Sequence, residues 1–281
     1  MLKDCRISGF ADEIDENFGV QLEVMGQLGQ RYVELRAADG INVADMTVEK
    51  AGECMERMRE KGVKVSALGS PIGKIKITDD FAPNFEKFCH VVELAGIFET
   101  PYIRMFSFYL PSEADPERYR EDVFQRISRM VEYAKEHLVV LLHENEKGIF
   151  GDSGERCLKL MEAFYGDHFK CTFDFANFVQ CREDTLACFQ KLKPYIAYIH
   201  VKDAMMGTGE VVPAGEGDGH LEEILRQMDE DGYQGFLSLE PHLSNFAGLA
   251  RLEADPQRRK EQDGIRAYRL AYQSLMGLLG R

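Results

Sequence analysis

The sequence predicts an α/β fold, a single (β/α)8 TIM barrel occupying residues 1–281 as one domain. Three observations carry this. Short β-rich runs alternate with longer amphipathic stretches, eight such units follow one another, and 281 residues is close to the roughly 250 that one closed barrel takes. Strands alternating with helices pair in parallel through right-handed crossovers, because each helix must return the chain across the sheet. An open doubly wound sheet is the competing arrangement, and it usually carries a glycine-rich phosphate loop after its first strand. Here the first strand runs into Gly9-Phe10-Ala11-Asp12-Glu13, which lacks that G-x-G-x-x-G spacing.

The expected strands are residues 6–10, 32–36, 64–68, 102–106, 139–144, 169–174, 195–201 and 235–240. Between them, apolar residues recur at helical spacing. Phe81, Phe85, Phe88, Val92 and Ala95 form one stripe, and Val123, Ile127, Met130, Val131 and Ala134 the next. Leu221, Ile224, Leu225 and Met228 form a third. The last helix is expected from about 257 to 279, with Ile265, Tyr268, Leu270, Ala271 and Leu275 on its apolar side. No linker, low-complexity tract or change of composition divides the chain.

Composition bounds the function. Hydrophobic residues make up 44% and charged residues 29%, enough for an ordinary core. Against 48 Asp+Glu stand 34 Lys+Arg, a net charge of −14, which opposes an extended nucleic-acid surface. The first residues, MLKDCRISGFADEIDE, do not read as a secretory signal, and no uncharged apolar run approaches the roughly 20 residues that span a bilayer. Seven cysteines (Cys5, Cys54, Cys89, Cys157, Cys171, Cys181 and Cys188) include no C-x-x-C pair, and several sit in apolar patterns as small hydrophobes. The expectation is a reduced, cytoplasmic protein with a small-molecule partner and neither nucleic acid nor membrane. The amphipathic C-terminal helix can serve the barrel wall or the interface of a homo-oligomer.

In a barrel of this kind the active site lies at the C-terminal ends of the strands. Four successive strands end on unusual residues: the fifth on Glu144, the sixth on Asp174, the seventh on His200 and the eighth on Glu240. Each is about one strand-and-helix unit from the next, so all four side chains can converge at the mouth. Singly, each reads as a solvated rim residue or a satisfied core histidine. Together, three carboxylates sharing a low-dielectric space would repel unless something neutralised them. A divalent cation does so, and three carboxylates with one imidazole suit Mn2+, Mg2+ or Co2+ better than a structural Zn2+ site, which favours thiolates.

The stretches HENE (143–146), FDFAN (173–177), IHVKD (199–203) and SLEPH (238–242) resemble the xylose isomerase-like barrel family of sugar and sugar phosphate isomerases and epimerases, the D-tagatose 3-epimerase group among them. The resemblance extends to the start SGFADEI and the loop GEGDG (215–219). It implies a metal site of Glu144, Asp174, His200 and Glu240, with Mn2+ the expected ion and Mg2+, Co2+ or Zn2+ as alternatives. It also implies that Glu144 and Glu240 are the catalytic acid and base. One takes the proton from the carbon beside a carbonyl and the other returns it, through an enediolate held on the metal. Independently, a Lewis acid stabilises such an enediolate and paired carboxylates can move its proton.

Three positions depart from the epimerase pattern. Asn177 stands where a His often follows the metal Asp, Met206 where an Arg often follows the metal His, and Glu146 where a His often follows the first glutamate. Asn can donate to a sugar hydroxyl but cannot shuttle a proton at neutral pH. These departures bear on the substrate and the reaction, because dehydratases, isomerases and lyases share the scaffold. A metal-dependent lyase or dehydratase acting on a sugar or inosose-like substrate is therefore the alternative. Phosphodiester cleavage of the AP endonuclease type, and sugar binding without catalysis, are remoter ones.

Substrate contacts are expected from Arg104, Asn177, Lys202, His242, Glu34 and Lys74. Strand alternation turns Arg104 and Phe106 inward, where Arg104 can fork onto a substrate anion or pair with Glu144. Glu34 sits similarly in the second strand, and Lys74 lies in the glycine-containing SPIGK segment (70–74). His242 shares a side with Glu240, whereas His143 points away from Glu144. In the run Phe106-Ser107-Phe108-Tyr109, Phe108 can wall a sugar ring or pack beneath the loop. The acidic pairs Asp12-Glu13 and Glu222-Glu223 read as solvated faces or helix starts.

Overall fold

The computed structural model describes residues 1–244 and 263–281. Eight strands form one parallel sheet: Arg6–Gly9 (β1), Tyr32–Leu35 (β2), Lys64–Leu68 (β3), Tyr102–Met105 (β4), Val140–Glu144 (β5), Phe169–Asp174 (β6), Ile196–Val201 (β7) and Phe236–Leu239 (β8). The order around the sheet is β1-β8-β7-β6-β5-β4-β3-β2. β1 comes to lie against β2, which nearly closes the ring. Near that junction Ser66 of β3 donates to the Val33 carbonyl of β2 at 3.1 Å and shares a 2.6 Å hydrogen bond with Ser8 of β1. The predicted TIM barrel is the fold, and each expected strand lies within a residue or two of its place.

The helices between strands are Phe18–Gln27 (α1), Val48–Lys61 (α2), Ala82–Ile97 (α3), Arg120–Glu136 (α4), Gly154–Phe164 (α5), Phe175–Gln180 (α6), Thr185–Leu192 (α7), Leu221–Glu230 (α8) and Gly264–Leu279 (α9). Side-chain caps start most of them, as at Thr47, Ser153 and Asp184, each satisfying a backbone N–H that a helix start leaves unpaired. The stripes of α4 and α8 are buried throughout. On α3, Phe88, Val92 and Ala95 are buried, while Phe81 and Phe85 pack half-buried at its start.

Two expectations need correction. Leu270 is 45% exposed, because the buried face of α9 runs through Ala267, Tyr268, Ala271 and Leu275 instead. Of the two readings of Asp12 and Glu13, the helix start holds and the solvated face does not: they lie in the first turn of a short 3-10 helix after β1, Ala11–Glu13, where Glu13 is buried. The expected helical residues 257–262 lie outside the described residues.

Two apolar layers result. The larger lies between strands and helices. A smaller one inside the barrel joins Ala67, Leu142, Tyr198 and Phe236, against Tyr32, Tyr102, Val140 and Ala197. Tyr198 shares a 2.8 Å hydrogen bond with Ser66, giving its buried hydroxyl a partner. This layer plugs the barrel, so the polar residues one step further along the strands form a floor rather than line a pore.

Candidate metal centre

Period-two alternation carries Glu34, Arg104, Glu144, Asp174, His200 and Glu240 to the inward side at the C-terminal ends of their strands. All six are buried. Asp174 also caps α6: its Oδ1 accepts the Asn177 N–H at 2.7 Å, which leaves Oδ2 facing the mouth. His200 Nδ1 lies 3.1 Å from Glu144 Oε1, 3.5 Å from Glu240 Oε2 and 3.9 Å from Asp174 Oδ2. One ligand atom from each of these four residues lies within 4.8 Å of every other. The predicted quartet therefore converges.

These residues fit a divalent ion on three grounds. Ligands about 2.1 Å from an ion sit roughly 3.0–3.4 Å apart in octahedral or tetrahedral geometry; the 3.1 Å from His200 Nδ1 to Glu144 falls in that range, and the 3.5 and 3.9 Å to Glu240 and Asp174 lie just beyond it. Asp174 Oδ2 and His200 Nδ1 are buried without a well-directed hydrogen bond. Finally, the imidazole is aimed from behind: Nε2 lies 3.1 Å from Glu34 Oε2, which also accepts from Ser238 Oγ at 2.7 Å. Donation from Nε2 to Glu34 turns the Nδ1 lone pair toward the three carboxylates, the usual support of a metal-bound histidine. Glu34 thus lies beneath His200, with both oxygens engaged there.

The charges around the quartet interlock. Arg104 donates to Glu144 Oε2 at 3.1 Å and to the Gly69 carbonyl at 3.0 Å. Asn177 Nδ2 donates to Glu144 Oε1 at 3.2 Å. Lys202 Nζ lies 2.9 Å from Asp174 Oδ2 and 3.0 Å from Glu240 Oε2. His242 Nε2 is 3.4 Å from Glu240 Oε1. Lys74 reaches across the mouth to Glu146 at 2.8 Å, with its ammonium 4.3 Å from the centre of the Phe106 ring. The loop that carries it turns at Gly73, whose φ of +88° and 2.0 Å clearance to the Phe106 carbonyl leave no room for a Cβ.

Burial raises the Glu144 carboxyl, but His200 and Arg104 outweigh it and hold the group at about 2. Glu240 is likewise held well below the usual carboxylate range, burial being overcome by Lys202 and His242. Asp174 goes the other way, pushed up to about 7 by burial against the pull of Lys202. Two ionised glutamates thus flank a histidine and a carboxyl in need of a counter-charge. His143 faces the other way, as expected, sharing a 3.0 Å hydrogen bond with Ser107, and burial lowers it to about 4. Phe108 packs beneath the loop, edge-on to Phe81. Met206 lies on a partly exposed loop.

Sequence reasoning missed Arg36 and the part that Asp12 and Glu13 play beside it. Its Nε donates to Asp12 at 2.8 Å, NH2 to Glu13 at 3.2 Å and NH1 to Glu240 at 3.3 Å. The signal was present, because Arg36 lies two residues beyond the inward Glu34. The GEGDG loop is held by Asp203, whose carboxylate accepts the N–H groups of Gly215, Gly217 and Gly219 at 2.9–3.0 Å. All seven cysteines are free, and burial pushes the Cys171 and Cys181 thiols up to about 12, far from a reactive thiolate.

An eight-stranded barrel with three carboxylates and a histidine converging at its C-terminal mouth defines the class of fold and site. The family model described as xylose isomerase-like TIM barrel matches residues 22–269, and the chain belongs to that family. A 3-dehydroshikimate dehydratase of Bacillus anthracis is 24% identical over 243 residues, covering 80% of this chain and 85% of the relative. Among solved structures, L-ribulose 3-epimerase is similar with a TM-score of 0.74 at 18% identity, over 98% of this chain and 94% of that one. A structure of IOLI protein with a bound zinc atom also gives a TM-score of 0.74, at 14% identity over 98% of both chains. The proteins that this chain resembles thus include a dehydratase and an epimerase. No helix among the described residues is long and apolar enough to cross a membrane.

Proposed function

We propose that this protein is a divalent-metal-dependent sugar or sugar phosphate isomerase or epimerase that moves a proton at the carbon beside a carbonyl. The observation that carries the reading is the pair Glu144 and Glu240, two buried carboxylates held ionised on either side of His200. An ionised carboxylate is the form a general base needs. When bound, the ion supplies a Lewis acid for the carbonyl and hydroxyl oxygens of the substrate, with Mn2+ the expected metal and Mg2+, Co2+ or Zn2+ the alternatives.

The side chains do the rest. Glu144 and Glu240 take and return the proton, while Arg104 and Asn177 fix the first and Arg36 and His242 the second. Phe10, edge-on to His200 at 5.3 Å, excludes water from that side. Asn177, Lys202, His242 and Lys74 are the side chains placed to meet substrate hydroxyls.

The test is hydrogen exchange from D2O into a panel of ketoses and their phosphates, with Mn2+ added. Glu144→Gln and Glu240→Gln are each expected to slow exchange by about a thousandfold or more while the fold stays intact by circular dichroism. Undiminished exchange in both variants ends the two-glutamate reading. The 24% identity to a 3-dehydroshikimate dehydratase favours a second reading, in which the same proton abstraction is followed by loss of a neighbouring hydroxyl as water. Incubation with 3-dehydroshikimate separates the two: dehydration without solvent exchange into ketoses supports the second.

A further inference from the structure

Lys202 is two residues beyond His200 on the same inward register, and it is buried. Its ammonium touches Asp174 Oδ2 and Glu240 Oε2, the two oxygens that face His200 Nδ1 at 3.9 and 3.5 Å. The three acids differ in their other support. Glu144 has Arg104, and Glu240 has Arg36 and His242. Asp174 has only Lys202 and His200 as ion-pair partners among the described residues, and its Oδ1 is taken by the Asn177 N–H. Lys202 is therefore the main positive charge where a metal ion would sit against Asp174.

Resting on the metal reading above, the geometry points to Lys202 as an internal counter-ion: it neutralises Asp174 and Glu240 in the ion-free protein, and a divalent cation must push it aside to bind. An ammonium about 3 Å from two ligand oxygens and a divalent ion on the same oxygens repel each other strongly in a low-dielectric mouth. The flexible four-carbon stem lets the ammonium move where a guanidinium fork would not. The further carboxylates within its field are Glu144, held by Arg104, and Glu146, already paired with Lys74, so a displaced Lys202 stays in the mouth and faces the substrate.

The sign of one measurement distinguishes this from an ordinary salt bridge. A bridge that merely holds the ligands in place predicts weaker metal binding when it is removed. A competing counter-ion predicts tighter binding. Mn2+ is titrated calorimetrically into the chelator-stripped full chain. Lys202→Met and Lys202→Gln are both expected to bind Mn2+ at least tenfold tighter than the unaltered protein, and Lys202→Arg, whose fork moves aside less readily, more weakly than it. In the ion-free state the two neutral variants should melt lower than the unaltered protein, and saturating Mn2+ should narrow the gap. Equal or weaker Mn2+ affinity in both neutral variants, with the unaltered protein binding normally, overturns the counter-ion role alone. No binding of Mn2+, Co2+ or Zn2+ by the unaltered protein overturns it together with the metal reading.

Discussion

Glu34 shows how a single buried side chain can matter without reaching the mouth. Its carboxylate receives His200 Nε2 at 3.1 Å and Ser238 Oγ at 2.7 Å, and is itself fully enclosed. An imidazole that loses such support can turn over or change tautomer, and partners of this kind typically contribute 10- to 100-fold to metal affinity. Glu34→Gln keeps the shape and one acceptor but removes the charge that fixes the Nε2 proton. Mn2+ titration should show affinity falling by roughly 10- to 100-fold, with the far-ultraviolet spectrum unchanged. An unaltered affinity would mean that His200 is oriented by packing against Phe10 and Tyr198 alone. At this scale the quartet was legible because each member ends an apolar strand, a local pattern. Glu13, which Arg36 meets, was not, because its meaning depends on a turn after β1 meeting the end of β2. A reading confined to neighbours in sequence sees Asp12-Glu13 only as an acidic pair.

Between elements, Asp39 ties the first two helices to the loop after β2. Its Oδ1 accepts the Phe18 N–H at the start of α1 at 2.9 Å, and its Oδ2 takes Lys50 at 2.8 Å and Arg57 at 2.7 Å from α2. Partial burial raises the carboxyl, but Lys50, the Phe18 N–H and Arg57 outweigh it and lower the group to about 2. A folded value below the unfolded 3.8 means the stabilisation is present above about pH 4 and is lost as pH falls toward 2. Asp39→Asn keeps the left-handed backbone, φ +50°, without strain, since Asn tolerates that region. The side chain is 30% exposed, so the ion-pair contribution is discounted to about 1 kcal/mol, or about 2–3 °C in melting temperature. Melts at pH 7 should show that loss, and the gap should shrink by pH 3; a pH-independent gap would assign it to packing. None of this tie could be read from spacing, because Asp39 lies in a turn with no periodic pattern. The strands and the α4 and α8 stripes could be, since burial on one face imposes a period.

For the whole molecule, the net charge of −14 divides into a diffuse part and a concentrated one. The concentrated part is the mouth, where Glu144, Asp174 and Glu240 come from the ends of β5, β6 and β8, three of four successive strands, with β7 between the last two. Like charges at neighbouring strand ends oppose closure of the barrel, and Arg36, Arg104 and Lys202 offset them; Asp174 is pushed up to about 7 chiefly by burial, with Glu240 and Glu144 adding to it against the pull of Lys202. An ion held by the four ligands would join β5 through β8 at the same end. Binding to the folded state alone stabilises by RT ln(1 + [L]/Kd), about 2.7 kcal/mol at a hundredfold excess over Kd. For a chain of this size that corresponds to a shift of about 5–10 °C. Chelation followed by calorimetric melting should therefore lower the melting temperature by that amount, and restored Mn2+ should recover it. The same treatment of an Asp174→Asn variant should move its melting temperature far less, because a neutral amide is a poor ligand and no longer needs the ion's charge. If chelation leaves the unaltered protein's melting temperature in place and restored Mn2+ does not raise it, no ion is held by the four ligands in the folded protein.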